Sequence, residues 1–243
     1  MERLDNFIDN LIVVEGSDGS GKTVQTTLLA DAINNEMGKG FAKILNFPDY
    51  DSKTGQLIQH MLSGGYGSDA KELNPYFTSP MYSLDRYQYL QKLKKEYGHI
   101  HVGICNRYTM SNLIHQGARI SDNDEFISYW NWLYDFEFNK LGLPKPNNIV
   151  YLWLPAEVSL MNIRKRNKET NRIIDINETE EYLSLVEKNV NRIHRCTDWG
   201  IIHCLGPDEE TRMLSPISIH NKIIQYLKNV NINMKSYLFN YNA

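Results

Sequence analysis

Residues Gly16-Ser17-Asp18-Gly19-Ser20-Gly21-Lys22-Thr23 satisfy the pattern G-x-x-x-x-G-K-[ST] without a mismatch. The glycines let the backbone curl so that successive N–H groups converge on phosphate oxygens, and a helix that follows adds its positive end. Lys22 is placed to neutralise β- and γ-phosphate oxygens, and the Thr23 hydroxyl to hold magnesium. These eight residues predict a nucleoside-triphosphate site with magnesium. The loop alone does not say what receives the phosphoryl group.

A second set of candidates lies downstream: "FPDY" (47–50), "MYSLDRYQYLQ" (81–91), "NRYTMSN" (106–112) and "HQGAR" (115–119). Arg86 and Arg107 carry guanidinium groups that can fork onto a phosphate or a carbonyl. Tyr82 stands one helical turn before Arg86, so ring and guanidinium share a face suited to stacking on a base and reading its edge. Asn106 puts a neutral amide where a phosphoryl-transfer site usually has a carboxylate.

The elements that must position these groups are legible in the apolar spacing. "NLIVVEG" (10–16) is a β-branched strand running into the glycine loop, and Val24, Leu28, Leu29, Ala32 and Ile33 follow at helical spacing. Further strands are predicted at "AKILNFP" (42–48), "HIHVGICNR" (99–107), "NNIVYLWL" (147–154) and "IIHCLG" (201–206). Helical stretches separate them, "TMSNLIHQGARI" among these. An aromatic stripe on the helix after it, Phe126, Tyr129, Trp130 and Leu133, reads as core or subunit contact. "RKRNKETNR" (164–172) reads as a basic loop at a helix end, and "MKSYLFNYNA" as a C-terminal tail (about 230–243). Strands alternating with helices imply a parallel sheet covered on both faces, with ligands at its carboxyl edge. Residues 1–243 read as a single domain without repeats or linkers.

Composition narrows the class. Hydrophobic residues make up 42% and charged residues 23%, with a formal charge of −3. That is ordinary globular composition without the basic field that draws in nucleic acid or an anionic membrane. Cys105, Cys196 and Cys204 are odd in number and widely spaced, so they read as buried thiols of a reducing compartment, with no disulfide framework or zinc site. No run reaches the ~18 apolar residues of a membrane span, and the expected location is the cytoplasm. His60, His99, His101 and His194 read as structural or surface residues.

The order and spacing of the loop, FPDY, the Tyr82–Arg86 helix, NRYTMS and the basic segment resemble the thymidylate kinase family, from about residue 10 to 228. The resemblance implies a P-loop kinase fold, α/β, with a five-stranded parallel sheet flanked by helices on both faces and an Arg-rich lid (about 164–178). It implies transfer of the ATP γ-phosphoryl to dTMP, giving dTDP, in a homodimer. By this resemblance Phe47 packs on the sugar, Tyr50 approaches the monophosphate, Tyr82 stacks on thymine, Arg86 bonds its O4 and Arg107 binds the acceptor phosphate. Asn112, His115 and Gln116 close around the base, with His115 where the family usually has an aromatic. Because Gly19 occupies the middle of the loop, the catalytic arginine falls to Arg164, Arg166 or Arg172, with Arg166 and Arg172 preferred. Asp18 faces the acceptor sugar or a metal-bound water, Asn106 orients a magnesium-bound water or Arg107, and Glu15 orders the loop. Two other readings stay open: a kinase for another deoxynucleoside or its monophosphate, and a non-catalytic nucleotide-binding homologue.

Overall fold

The protein is described by a computed structural model covering Leu4 and residues 6–170, 175–206 and 211–230. Its strands are β1 (Ile8–Gly16), β2 (Ala42–Asn46), β3 (Ile100–Asn106), β4 (Asn148–Trp153) and β5 (Gly200–His203). They form one five-stranded sheet in the order β2-β3-β1-β4-β5, with every pairing parallel. From Asn10 to Gly16, β1 is buried throughout, as expected of a central parallel strand with helices on both faces.

Period-2 alternation splits its side chains between two cores. Leu11 and Val13 enter a cluster with Leu45, Cys105 and Tyr151. Ile12 and Val14 pack instead with Leu29 and Ile33 of α1 (Lys22–Met37) and Ile219 and Ile223 of α8 (Pro216–Val230). Each such side chain contributes roughly 1.5–3 kcal/mol on burial. Register then brings three strand ends together. Asn106 pairs with Val14 on one side and Asn46 on the other, and Gly16 pairs with Leu152. The loops after β1, β2 and β3 therefore open on one edge.

The remaining helices are α2 (Lys53–Leu62), α3 (Pro75–Tyr97), α4 (Thr109–Ser111), α5 (Asn123–Tyr134), α6 (Ala156–Thr170) and α7 (Glu180–His194). Asn74 caps α3 through its Oδ1, which accepts from the Tyr76 N–H at 2.8 Å, and Pro75 occupies the first turn, where its missing N–H costs nothing. Gly98, at φ 70°, ends it.

Three expectations need correction. The segment 109–120 is not one regular helix: α4 continues as a π-helical turn, Asn112–Gln116, and a 3-10 turn, Gly117–Arg119. A second π-helical segment, Asp135–Lys140, extends α5. The basic stretch from residue 164 is not a loop; α6 runs through Thr170, because it contains strong helix formers and no Gly or Pro. Cys196 is exposed, whereas Cys105 and Cys204 are buried as expected. In the aromatic stripe Phe126, Tyr129 and Leu133 are core residues. Arg172 and residues 231–243 lie outside the described residues.

Candidate active site at the carboxyl edge of the sheet

The glycine loop links β1 to α1 as its sequence requires. At Gly16 a Cβ would stand 2.7 Å from the Leu152 carbonyl oxygen, and Gly21 holds φ 88° at the start of α1. No side chain caps that helix, so its first N–H groups are left for another acceptor. Lys22 folds over the loop, its Nζ donating to Gly16 O and Ser17 O at 3.0 Å and lying 3.4 Å from Asp18 Oδ1. Burial, with Arg107 close by, lowers the Lys22 ammonium to about 8. The loop is braced from α6: Asn162 Nδ2 donates to Gly19 O at 3.1 Å and the Ser159 hydroxyl to Asp18 O.

Arg107 follows β3 with φ 68°, the only non-glycine residue in the left-handed region among the described residues. Such backbone costs of order 1–3 kcal/mol and needs support from its surroundings. The support is visible. The Arg107 N–H donates to Val14 O at 3.2 Å, its Nη2 to the Asp18 carboxylate and its Nη1 to His115 Nε2 at 3.1 Å. Below it, buried Glu15 accepts from the Tyr108 N–H at 2.8 Å and from the Ser111 hydroxyl. Glu15, expected to order the glycine loop, thus orders the turn after β3 through these bonds.

Electrostatics follow from the contacts. Burial would raise the Asp18 carboxyl, but Arg107 and Lys22 hold it well below the usual carboxylate range. Burial and the neighbouring Arg107 push the His115 imidazole down to about 3. Since arginine can only donate, His115 Nε2 is the acceptor and its proton sits on Nδ1. Asn106 donates from Nδ2 to Thr23 Oγ1 at 3.2 Å and to Asn46 Oδ1 at 3.3 Å.

The other half of the site rests on a carboxylate that the sequence reading passed over. Glu137, fully buried on the π-helical extension of α5, accepts from Arg86 Nε at 3.1 Å and Nη2 at 2.5 Å. It also accepts from Ser83, Thr109 and Asn112. Arg86 gives a further bond to Tyr108 O at 3.3 Å. Three of the five N–H groups of Arg86 are thereby committed within the protein. The only sequence signal for Glu137 is its place one turn after Leu133, on the inward face of an aromatic helix. A second unforeseen group is Asp85, whose carboxylate takes the Asp49 N–H at 3.0 Å and the hydroxyls of Ser52 and Thr54, fixing the turn that carries Tyr50.

A cleft of about 580 Å³ joins both halves. Asp18, Gly19, Gly21, Lys22 and Thr23 border it on the loop side, whereas Gly16, Ser17 and Ser20 do not line it. Phe47, Tyr50, Tyr82, Arg86, Asn106, Arg107, Asn112, His115 and Gln116 border the rest. Phe47 is buried edge-on against Tyr89, at 5.1 Å between centroids, so it is core and cleft wall at once. Asn112 Oδ1 accepts from Gln116 Nε2 at 3.3 Å, while His115 Nδ1 and Gln116 Oε1 are buried without a hydrogen-bond partner. On α6, Asn162 and Arg166 face the cleft one turn apart, whereas Arg164 points to solvent. Arg166 Nη2 donates to Glu178 Oε1 at 2.5 Å.

This geometry agrees with the comparisons. The thymidylate kinase family model matches residues 14–205. A probable thymidylate kinase of Pyrococcus horikoshii is 31% identical over 72% of this chain and 82% of its own. Another, of Methanocaldococcus jannaschii, is 27% identical over 92% and 99%. The structure of thymidylate kinase from Candida albicans superposes with a TM-score of 0.63 at 21% identity, covering 93% of each chain, and supports the P-loop kinase fold. With the family model spanning most of the chain, and the glycine loop, strand-end arginine and second ligand half lying in one cleft, the chain belongs to the thymidylate kinase family.

Proposed function

We propose that this chain transfers the γ-phosphoryl group of ATP to dTMP, giving dTDP and ADP. One observation carries the reading: Arg107, at the acceptor half, bonds Asp18, which in turn lies 3.4 Å from Lys22 at the donor half. Two phosphate-binding groups thus meet across a single carboxylate, where a donor and an acceptor phosphate would face each other.

On this reading the glycine loop and Lys22 hold the triphosphate, and Arg107 fixes the acceptor phosphate. An oxygen of that phosphate forms a bond to the γ-phosphorus while the bond to the β–γ bridging oxygen breaks, the electron pair leaving with ADP. The nucleophile is already anionic, so positioning and charge neutralisation replace a general base. Arg166 reaches the cleft from α6 and would offset charge on the transferred group. Phe47 and Tyr82 would enclose sugar and base, with Tyr50 near the monophosphate. The unpartnered His115 Nδ1 and Gln116 Oε1 offer a donor and an acceptor for the base edge, beside Asn112 and the N–H groups of Arg86 not held by Glu137. The Thr23 hydroxyl, which accepts from Asn106 Nδ2, offers a hard oxygen ligand beside the glycine loop, so Thr23 would hold Mg2+ directly and Asn106 through water. Bound there, Mg2+ would neutralise the β- and γ-phosphate oxygens.

The test is diphosphate formation by the purified chain with ATP and Mg2+, offered thymidine, dTMP and the other monophosphates. We expect dTMP to be preferred and Arg107→Ala to lose at least about a hundredfold in kcat/KM. Preference for thymidine or another monophosphate would redirect the assignment, and nucleotide binding without turnover would make the chain a non-catalytic homologue.

We propose that a homodimer would form through α3 rather than through the aromatic helix. Phe77 and Leu84, two turns apart, are 49% and 48% exposed, and Tyr66 meets Phe77 edge-on at 5.5 Å. Residues 1–243 would act as one kinase domain per protomer. Light scattering should give twice the chain mass for the wild type and a monomer for Leu84→Glu; a monomeric wild type would refute the dimer. No helix among the described residues is long and apolar enough to cross a membrane.

A further inference from the structure

Asp9, His99 and His101 gather at the amino-terminal edge of the sheet, the end opposite the cleft. Parallel register pairs Ile8 of β1 with Ile100 of β3, which sets Asp9 beside His101. His99, two residues earlier, projects to the same side. Both imidazoles aim at one oxygen: His99 Nε2 is 2.9 Å and His101 Nδ1 3.1 Å from Asp9 Oδ2, and the three donor atoms lie within 4.8 Å of one another. The rings are held in place, His101 stacked on Phe41 with centroids 4.6 Å apart and His99 edge-on to His101 at 5.1 Å.

We propose that these three side chains form a binding site for a divalent first-row transition ion of the zinc class, with solvent completing its coordination. Nitrogen and oxygen donors around such an ion, bonded at about 2.0–2.2 Å and near right or tetrahedral angles, stand roughly 2.9–3.5 Å apart. The two nitrogen–oxygen separations fall in that range, so an ion could enter with little movement. Two imidazoles with one carboxylate favour Zn2+, Co2+ or Ni2+ and disfavour Mg2+, which prefers an all-oxygen shell. The ion would clip β1 to β3 at the amino-terminal edge of the sheet. This site is independent of the kinase reading.

The experiment uses the untagged full chain carrying Cys196→Ser, which removes the exposed thiol as a competing ligand. Co2+ is titrated by visible absorption and Zn2+ by calorimetry, without nucleotide. We expect saturation near one equivalent, a higher melting temperature with Zn2+ but not with Mg2+, and at least about tenfold weaker binding in His99→Ala and in His101→Ala. Absence of saturable binding, or binding unchanged when both histidines are removed, overturns the site. Both histidine side chains are about half exposed, at 45% and 53%, so the variants should fold normally and keep wild-type nucleotide chemistry.

Discussion

His115 shows how one uncharged side chain can set the geometry of a charged one. Its Nε2 accepts from Arg107, whose backbone is held at φ 68°. A hydrogen bond to a charged group is worth about 1.5–3 kcal/mol, or roughly tenfold or more in an equilibrium. His115→Ala should therefore raise the KM for the monophosphate about tenfold with a smaller change in kcat, and His115→Gln, which keeps an acceptor, should recover most of the loss. Equal effects of both variants would sink this positioning role. The same residue predicts a pH dependence. Burial and Arg107 lower the folded imidazole to about 3, while the unfolded one titrates near 6.5, so between these values the unfolded state binds more protons. Stability should fall as pH drops from about 6.5 towards 3, and less steeply in His115→Gln; equilibrium unfolding across that range measures it.

Helix α6 decides which basic residue can serve the reaction. The i, i+4 relation of Asn162 and Arg166 turns both toward the glycine loop, and the offset of two residues sends Arg164 to solvent. Glu178, buried just before α7, holds the Arg166 guanidinium and also accepts from Asn167 Nδ2 at 2.8 Å. Arg166→Ala should lower kcat by about 10²–10³ with smaller changes in either KM, the pattern of an interaction made chiefly in the transition state. Arg164→Ala should stay within about threefold of wild type. Steady-state kinetics on both variants compare them; a wild-type kcat in Arg166→Ala would exclude it from the chemistry.

At the scale of the whole molecule the site is built into the core. Glu137 ties Arg86 and Ser83 of α3, Thr109 of α4 and Asn112 of the π-helical turn to the extension of α5. Removing one partner of such a buried pair leaves an uncompensated charge, at a cost of about 3–5 kcal/mol. Glu137→Ala should destabilise the protein by that amount in denaturant unfolding. Glu137→Gln, which keeps an acceptor oxygen, should cost less, and a loss below about 1 kcal/mol in Glu137→Ala would contradict the account.

The sequence by itself determined the glycine loop, all five strands and their parallel class, because short-range signals carry them: a fixed loop pattern, β-branched runs and helical spacing between them. Arg107, Tyr82 and Arg86 were legible for the same reason, standing at strand ends or one turn apart. Only the tertiary structure decided what Arg86 bonds within the protein, that Glu15 serves the turn after β3, that Arg166 and not Arg164 faces the loop, and that Asn106 touches the Thr23 hydroxyl. These are contacts between residues 51, 93 and 83 positions apart for Arg86–Glu137, Glu15–Tyr108 and Asn106–Thr23. The π-helical turns also escaped the reading, since one inserted residue shifts a helix face without changing the local composition that marks a helix. Local pattern fixes which element a residue occupies; sheet register and helix packing fix which distant partner its side chain meets.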